Sequence, residues 1–200
     1  MKGFDPTRFE NWKKVKFVDT VTMSNLPTRV KRVLLQNRYN GLSEIPPREQ
    51  LESLSSLYIY GKAGTGKTVM AAQFMLGHIA YQWACRAVLR TEFIGVPELL
   101  LEFKNSYGNK WDETETQLLD RYARTGLLVL DDIGVQNTTD WAYQLLYILI
   151  NRRYDEERPI IFTSNYSLEE LREKLDDERI PSRIYEMCDV VSCKKQYRHT

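Results

Sequence analysis

Two kinds of hydrophobic pattern alternate along most of the chain. Short apolar runs without polar alternation, such as LLVL at 127–130 and PIIF at 159–162, are typical of parallel strands that are buried on both faces. Longer stretches with apolar residues at helical spacing separate them, as at 67–84 and 138–157. Strands that alternate with helices predict a parallel sheet covered on both faces, which is a three-layer α/β/α sandwich.

The same pattern gives approximate bounds for the elements of this sandwich. About five strands are predicted, over 56–60, 86–93, 126–134, 158–165 and 189–193. Helices are predicted over 67–84, 96–108, 112–125, 138–157 and 167–175, with a last one near 180–188. The helix over 167–175 is expected to begin with a capping box, because Ser167 is followed three positions later by Glu170.

The first fifty residues look like an appendage to this core. A stretch at 26–41 predicts one short helix, with Pro27 near its start and Gly41 just beyond its end, and a turn-rich connector follows at 43–50. We therefore expect an N-terminal extension over 1–50 and a core domain over 51–200. The extension carries ten Lys and Arg against five Asp and Glu, a balance of +5, which leaves −4 for the rest of a chain whose net charge is +1. This asymmetry is a hint of an acidic partner, or only a solvated helix face.

The remaining composition favours a protein of the cytoplasm. The three cysteines are odd in number and form no C-x-x-C pair, so neither a disulfide framework nor a zinc site is indicated. The N-terminal residues lack the apolar segment of a secretory signal, and no run approaches the roughly 20 apolar residues of a membrane span.

A glycine-rich loop lies between the first predicted strand and the first long helix. It matches the phosphate-binding pattern G-x-x-x-x-G-K-[ST], and the flanking strand and helix are the context that this P-loop requires. Its backbone N–H groups and the helix N-terminus are expected to bind the phosphates of ATP. The lysine would contact the β- and γ-phosphates and the last threonine would bind Mg²⁺. The loop residues are Gly61, Lys62, Ala63, Gly64, Thr65, Gly66, Lys67 and Thr68.

Polar residues end two buried strands of the predicted sheet. Asp131 is expected to hold Mg²⁺ as the Walker-B acid, and Asp132 to orient the attacking water. Asn165 ends the next strand along the chain, where an amide can hold that water or a γ-phosphate oxygen. Arg179 and Arg183 are candidates for stabilising the charge that develops in phosphoryl transfer, although surface ion pairs explain both equally well.

These elements, in this order, resemble an AAA+ ATPase of the ASCE class of P-loop NTPases. The segments LLVLDDIG, NRRY, IIFTSNYSLEEL and RIPSRIYEMC narrow the resemblance to the DnaC-type helicase loaders and the related IstB-type transposition ATPases. The resemblance covers roughly residues 55–198, and Tyr197-Arg198 is similar to the family's ending. It implies that Asn165 is sensor 1 and that Arg183, or the neighbouring Arg179, is an arginine finger. The small size favours a phage or other mobile element as the origin.

The resemblance implies an ATPase that assembles into a homo-oligomer when ATP is bound and has a replicative DNA helicase as its partner. Single-stranded DNA is a further expected ligand, with Lys104, Tyr107 and Lys110 as candidate contacts, although a solvated helix end explains these three at least as well. The chain departs from the wider family in three ways. Its Walker-B strand ends in Asp-Asp, where many members have Asp-Glu. Only about fifty residues precede the core, and no C-terminal lid domain is expected.

Three alternatives remain at the level of the sequence. The client of the ATPase could be a transposase, as in the IstB type. A small-molecule kinase is a different class, but it leaves the TSN and SRI segments unexplained. A nucleotide-gated binding module with little turnover would fit the short Asp132 side chain.

Overall fold

A single parallel sheet organises the chain. The computed structural model describes residues 5–12, 16–36, 56–87, 90–106, 113–134 and 139–193. The strands are β1 (Ser56–Tyr60), β2 (Thr91–Gly95), β3 (Leu127–Ile133), β4 (Ile160–Ser164) and β5 (Cys188–Ser192). The helices are α1 (Pro6–Asn11), α2 (Phe17–Met23), α3 (Thr28–Leu35), α4 (Lys67–Ala84), α5 (Val96–Asn105), α6 (Glu115–Arg124), α7 (Asp140–Asp155), α8 (Leu168–Leu175) and α9 (Arg179–Met187).

The order of the strands across the sheet is β2-β3-β4-β1-β5, and every pairing is parallel. Alternate residues of the central strands enter two separate hydrophobic clusters. Leu128 and Phe162 face the cluster that includes α5 to α9, whereas Val129 and Ile161 face the cluster that includes α1 to α4. Both faces are therefore apolar, which explains why these strands lack polar alternation and confirms the α/β/α fold.

An extra residue interrupts the pairing of β3 with β4 at the carboxyl end of the sheet. Leu130 is opposite Phe162, but Ile133 is opposite Ser164, so β3 has one residue more than β4 over this interval. Such a β-bulge bends the strand and redirects its side chains. The bulge contains Asp132, whose backbone is left-handed with φ of 61°.

The predicted start of the second strand differs from the structure. The strand expected from residue 86 begins at Thr91, because the chain continues the last turn of α4 beyond its end. The amide of Ala87 donates to the carbonyl of Gln82, and Arg86 has φ of 55°, which is incompatible with a strand. At α8 the expected capping box is present, with both Ser167 and Glu170 accepting from backbone amides.

The N-terminal extension contains three helices in its described part, where one was expected. The expected helix is α3, and α1 and α2 precede it. Phe9, Trp12, Phe17 and Val21 are buried in the same cluster as the apolar face of α4. The short, aromatic-rich helices are stable because they cover α4, which local periodicity alone does not reveal. The connector expected at 43–50, and with it the domain boundary, lies outside the described residues.

Arg153 of α7 is fully buried at the opposite end of the sheet from the bulge. Its guanidinium donates hydrogen bonds to the carbonyl oxygens of Tyr122, Ala123 and Thr125, which end α6 and lead into β3. It also donates to the carbonyl of Pro159, the residue before β4, over 2.6 Å. Carbonyl groups that a helix end leaves unpaired are thus satisfied by one side chain.

Among the described residues, no helix has both the length and the apolar character that crossing a membrane requires.

Candidate nucleotide site

The glycine-rich loop connects β1 to α4 at the carboxyl edge of the sheet. Gly66 begins α4 with a left-handed backbone, φ of 90°, which favours glycine. Gly61 donates its amide to the carbonyl of Ser164 at the end of β4, over 3.1 Å. A side chain at Gly61 would collide with the carbonyl oxygen of Cys193, so glycine alone fits between β4 and the end of β5. The loop is thereby fixed to both strands that flank β1.

Lys67 is the first residue of α4, and its side chain is almost fully buried, with 5% exposed. Its ammonium group donates to the side-chain oxygen of Asn165 over 2.8 Å and to the carbonyl of Lys62 over 3.2 Å. Burial lowers the pKa of Lys67, and the nearby carboxylates of Asp132 and Asp131 oppose that shift. Both hydrogen-bond acceptors are uncharged, so the positive charge is held in position without being neutralised by them.

The two aspartates occupy different environments. Asp131 is buried, and its carboxylate accepts a hydrogen bond of 2.6 Å from the hydroxyl of Thr163. Burial raises the pKa of Asp131, whereas the hydroxyl groups of Thr163 and Thr68 oppose the rise by hydrogen bonding to the carboxylate. Asp132 is more exposed and lies in the bulge, with a left-handed backbone.

A cavity of about 370 Å³ brings these residues together. Its walls come from the glycine-rich loop, the two aspartates, Asn165 and, unexpectedly, helix α3. The lining residues from this region are Arg29, Val30 and Val33 of α3 and Pro27, which directly precedes it. The spacing of the valines predicted the helix, but its position beside the loop depends on packing against α4 and could not be derived from periodicity. The N-terminal extension therefore forms part of the candidate site.

Arg179 is held by its own subunit. Its guanidinium makes hydrogen bonds of 2.9 to 3.2 Å to both carboxylate oxygens of Asp177, and it lies over the rings of Tyr143 and Tyr147 at 5.1 and 5.0 Å. The hydrogen bonds from Arg179 hold the pKa of Asp177 well below its usual range. This bidentate pair engages the guanidinium edge that would be needed to bind a phosphate.

Arg183 has looser contacts one helical turn further along α9. Its Nε donates to the side-chain oxygen of Asn151 over 3.0 Å, and one terminal nitrogen is 3.4 Å from Glu186. The guanidinium lies 4.4 Å from the centre of the Tyr154 ring. Neither Arg183 nor Arg179 is among the described residues that line the cavity, so the structure does not bring the two arginines to the candidate site of their own chain.

The candidate DNA contacts are only partly described. Lys104 lies at the end of α5, with its ammonium group 5.7 Å from the centre of the Trp141 ring. Tyr107 and Lys110, like Tyr197 and Arg198, lie outside the described residues.

The oxygen groups at the cavity suit a magnesium ion that is shared with a substrate. The Thr68 hydroxyl and the Asp131 carboxylate are hard ligands of the kind that Mg²⁺ prefers, and they lie on the same wall. No group of three His, Cys, Asp or Glu side chains among the described residues could hold a metal by itself. Magnesium typically binds one or two carboxylates together with substrate phosphates, so this donor set fits it.

Comparison with known proteins gives a consistent result. Residues 11–199 match the family described as IstB-like ATP binding protein. The replicative helicase loader DnaI of Bacillus subtilis is 36% identical over 117 residues, which are 58% of this chain and 35% of DnaI. The replicative helicase loader DnaC of Escherichia coli K12 is 29% identical over 160 residues, which are 76% of this chain and 60% of DnaC. The chain thus spans between about a third and three fifths of these relatives.

A solved structure of the DnaC helicase loader has a similar fold, with a TM-score of 0.61. The superposition covers 86% of this chain and 92% of that chain, at 24% sequence identity. At this level of identity the likeness concerns the fold.

Proposed function

Because this chain belongs to the family of IstB-like ATP-binding proteins, we propose that it is an AAA+ ATPase that acts on a replicative DNA helicase. The observation that carries the proposal is the meeting of Lys67, Asp131 and Asn165 around one cavity, although they come from three different elements. A buried ammonium group, a buried carboxylate and a neutral amide at the ends of adjacent strands form the set needed to bind and cleave a phosphoanhydride.

ATP binding is assigned to the loop and to α3. The backbone amides of residues 61–68 and the positive end of α4 would bind the phosphates, with Lys67 contacting the β- and γ-phosphates. Val30 and Val33 would pack against the nucleobase, because they provide apolar surface in the lining of the cavity.

Hydrolysis is assigned to the residues at the ends of β3 and β4. Thr68 and Asp131 would hold Mg²⁺, which when bound neutralises charge on the phosphate oxygens. Asp132 would accept a hydrogen bond from the attacking water and orient it towards the γ-phosphorus. The amide of Asn165 would support the same water or a γ-phosphate oxygen, since it already lies 2.8 Å from Lys67.

An arginine from a neighbouring copy would complete the site. Arg183 and Arg179 lie on α9, away from the cavity of their own subunit, so either can reach a nucleotide only across an interface. Of the two, Arg183 fits better, because Arg179 is engaged by both oxygens of Asp177. This arrangement would make ATP binding, assembly into a homo-oligomer and hydrolysis interdependent.

The client is proposed from the relatives. Two curated relatives are named replicative helicase loaders. A transposase is the second candidate client, favoured by the name of the matching family. Single-stranded DNA is a further proposed ligand, whether the client is a helicase or a transposase.

The function is tested with purified protein and the replicative helicase of its host. We expect ATP hydrolysis, and an ATP-dependent complex with the helicase that co-elutes on size exclusion. Lys67→Ala should lose both, whereas Lys16→Ala, which removes an exposed ammonium group, should retain them. Turnover without a helicase complex, but with an ATP-dependent complex containing a transposase, would favour the second client. Absence of ATP binding by the unaltered protein would overturn the proposal.

A further inference from the structure

Thr163 lies on β4 opposite the bulge that separates the two aspartates. Its side chain is fully buried, and the bulge leaves the backbone of Asp132 out of the regular ladder between β3 and β4. An unpaired amide at such a place is costly unless a side chain satisfies it. The Thr163 hydroxyl accepts a hydrogen bond of 2.9 Å from that amide.

The same hydroxyl also acts as a donor. It gives its proton to the carboxylate of Asp131, at an oxygen–oxygen distance of 2.6 Å. A hydroxyl has one proton to donate, so the direction of this bond is fixed when Asp131 is ionised. One side chain therefore holds the carboxylate of Asp131 and the main chain of Asp132 at the same time.

These two hydrogen bonds restrict the side-chain orientation of Asp131 and the backbone conformation of Asp132. Asp131 would otherwise rotate about its side-chain bonds, but the bond from Thr163 fixes one oxygen of a carboxylate that also lies beside the Thr68 hydroxyl. Asp132 has a left-handed backbone that non-glycine residues adopt reluctantly, although Asp and Asn tolerate it better than most. The bond to its amide stabilises that conformation and so the direction of its side chain.

We propose that Thr163 is a positioning residue for ATP hydrolysis, whose hydroxyl aligns Asp131 for the magnesium ion and Asp132 for the attacking water. This inference rests on the proposed ATPase function. Thr163 lines no part of the described cavity, so it acts through the two aspartates without touching the nucleotide.

Two substitutions separate the hydroxyl from the shape of the side chain. Thr163→Val keeps the branched shape and removes the hydroxyl, whereas Thr163→Ser keeps the hydroxyl and removes the methyl group. A matched control is Thr125→Val, because Thr125 is also buried and its hydroxyl also donates a hydrogen bond, to the carbonyl of Arg121 at the other end of the sheet. All three proteins are checked first by thermal unfolding.

The first measurement is binding of a fluorescent ATP analogue with Mg²⁺ and with EDTA. We expect Thr163→Val to bind as tightly as the unaltered protein in EDTA, but to lose about 10-fold or more of the affinity gained with Mg²⁺, as is common when a partner of a metal ligand is removed. The second is steady-state hydrolysis, in which kcat of Thr163→Val should fall about 10- to 100-fold, while KM for magnesium-ATP rises in step with the lost magnesium-dependent affinity. Thr163→Ser and Thr125→Val should stay within about threefold of the unaltered protein in both measurements, a smaller change than the roughly 10-fold or larger losses expected for Thr163→Val.

Four outcomes test whether the Thr163 hydroxyl positions the two aspartates. Normal magnesium-dependent binding and kcat in Thr163→Val would overturn the inference, and so would equal losses in Thr163→Ser and Thr163→Val. If Thr163→Val does not fold, Thr163→Ser decides alone, because loss of activity with the hydroxyl retained contradicts a role for the hydroxyl and normal activity supports it. If the unaltered protein neither binds nor hydrolyses ATP, the proposed function itself fails and the inference falls with it.

Discussion

The side-chain oxygen of Asn165 accepts a hydrogen bond from the ammonium group of Lys67 over 2.8 Å. The bond joins the residue that follows β4 to the first residue of α4, 98 positions away along the chain. An amide oxygen orients the ammonium group without cancelling its charge, which a carboxylate would do. The choice of Asn at this position therefore has consequences for both binding and turnover.

Replacing Asn165 should separate these two consequences. Asn165→Asp puts a negative charge beside Lys67 and near the expected γ-phosphate, so ATP affinity should fall by about 10-fold or more, the equivalent of at least about 1.4 kcal/mol. Asn165→Ala adds no charge, so affinity should stay within about threefold while kcat falls about 100-fold. Titration with fluorescent ATP and steady-state hydrolysis measure the two effects. Equal affinities for the Asp and Ala variants would contradict this account.

Asp132 should affect turnover more than binding. Asp132→Asn keeps the size of the side chain. Asn tolerates the left-handed backbone at this position as Asp does, so the melting temperature should change little. Loss of the group that orients water should lower kcat about 100- to 10,000-fold while ATP remains bound. Single-turnover hydrolysis next to a thermal melt measures both. If Asp132→Asn hydrolyses ATP at the normal rate, a group other than Asp132 orients the attacking water.

The arginine finger should act between subunits. Lys67→Ala and Arg183→Ala should each be inactive alone, but a mixture should recover part of the turnover, because the intact loop of one subunit can meet the intact arginine of the other. Finger arginines contribute about 10³- to 10⁵-fold to kcat in well-studied NTPases, so recovery should stand clearly above background. The matched variant is Arg179→Ala. Normal activity of Arg183→Ala together with complementation by Arg179→Ala would transfer the role to Arg179.

Helix α3 should contribute to nucleotide affinity. Val33→Ser removes apolar surface from the cavity wall, and we expect ATP affinity to fall about three- to tenfold, the equivalent of roughly 1 kcal/mol of lost apolar contact. Leu35→Ser is the control, because Leu35 is on the same helix, is 43% exposed and does not line the cavity. Calorimetric titration with ATP compares the two. An equal effect of both substitutions would point to a general loosening of α3.

His78 should make stability depend on pH. It is buried in α4, both ring nitrogens lack a hydrogen-bond partner among the described residues, and burial lowers its pKa to about 4. The unfolded chain, with a pKa near 6.5, binds the proton more readily, so stability is lost as the pH falls from about 7 towards 4. Between pH 7.5 and 5 the loss should be about 2 kcal/mol. His78→Leu removes this dependence, and urea unfolding of both proteins at the two pH values measures the difference.

The sequence predicted the candidate site better than it predicted what surrounds it. The glycine loop, the Asp pair and Asn165 occur at ends of buried strands, and parallel strands bring such ends to one edge, so local pattern was sufficient for their meeting at the cavity. The roles assigned to them remain predictions. The wall formed by Val30 and Val33, and the bulge that Thr163 faces, depend on packing and register between distant segments, which a single sequence does not specify.

The buried guanidinium of Arg153 holds together the two segments that lead into β3 and β4. It binds the carbonyl groups of Thr125 and Pro159, which lie just before β3 and β4. From Thr125 to Asp131 the chain advances six residues, about 20 Å of extended strand. Within the sheet Leu128 pairs with Ile160 and Leu130 with Phe162, so the next residues of the two strands, Asp131 and Thr163, lie side by side. Contacts at the end of the sheet opposite the candidate site thus support the alignment of Asp131 with Thr163, and a single-residue insertion in β3 before Asp131 would misplace that carboxylate without altering any residue of the site.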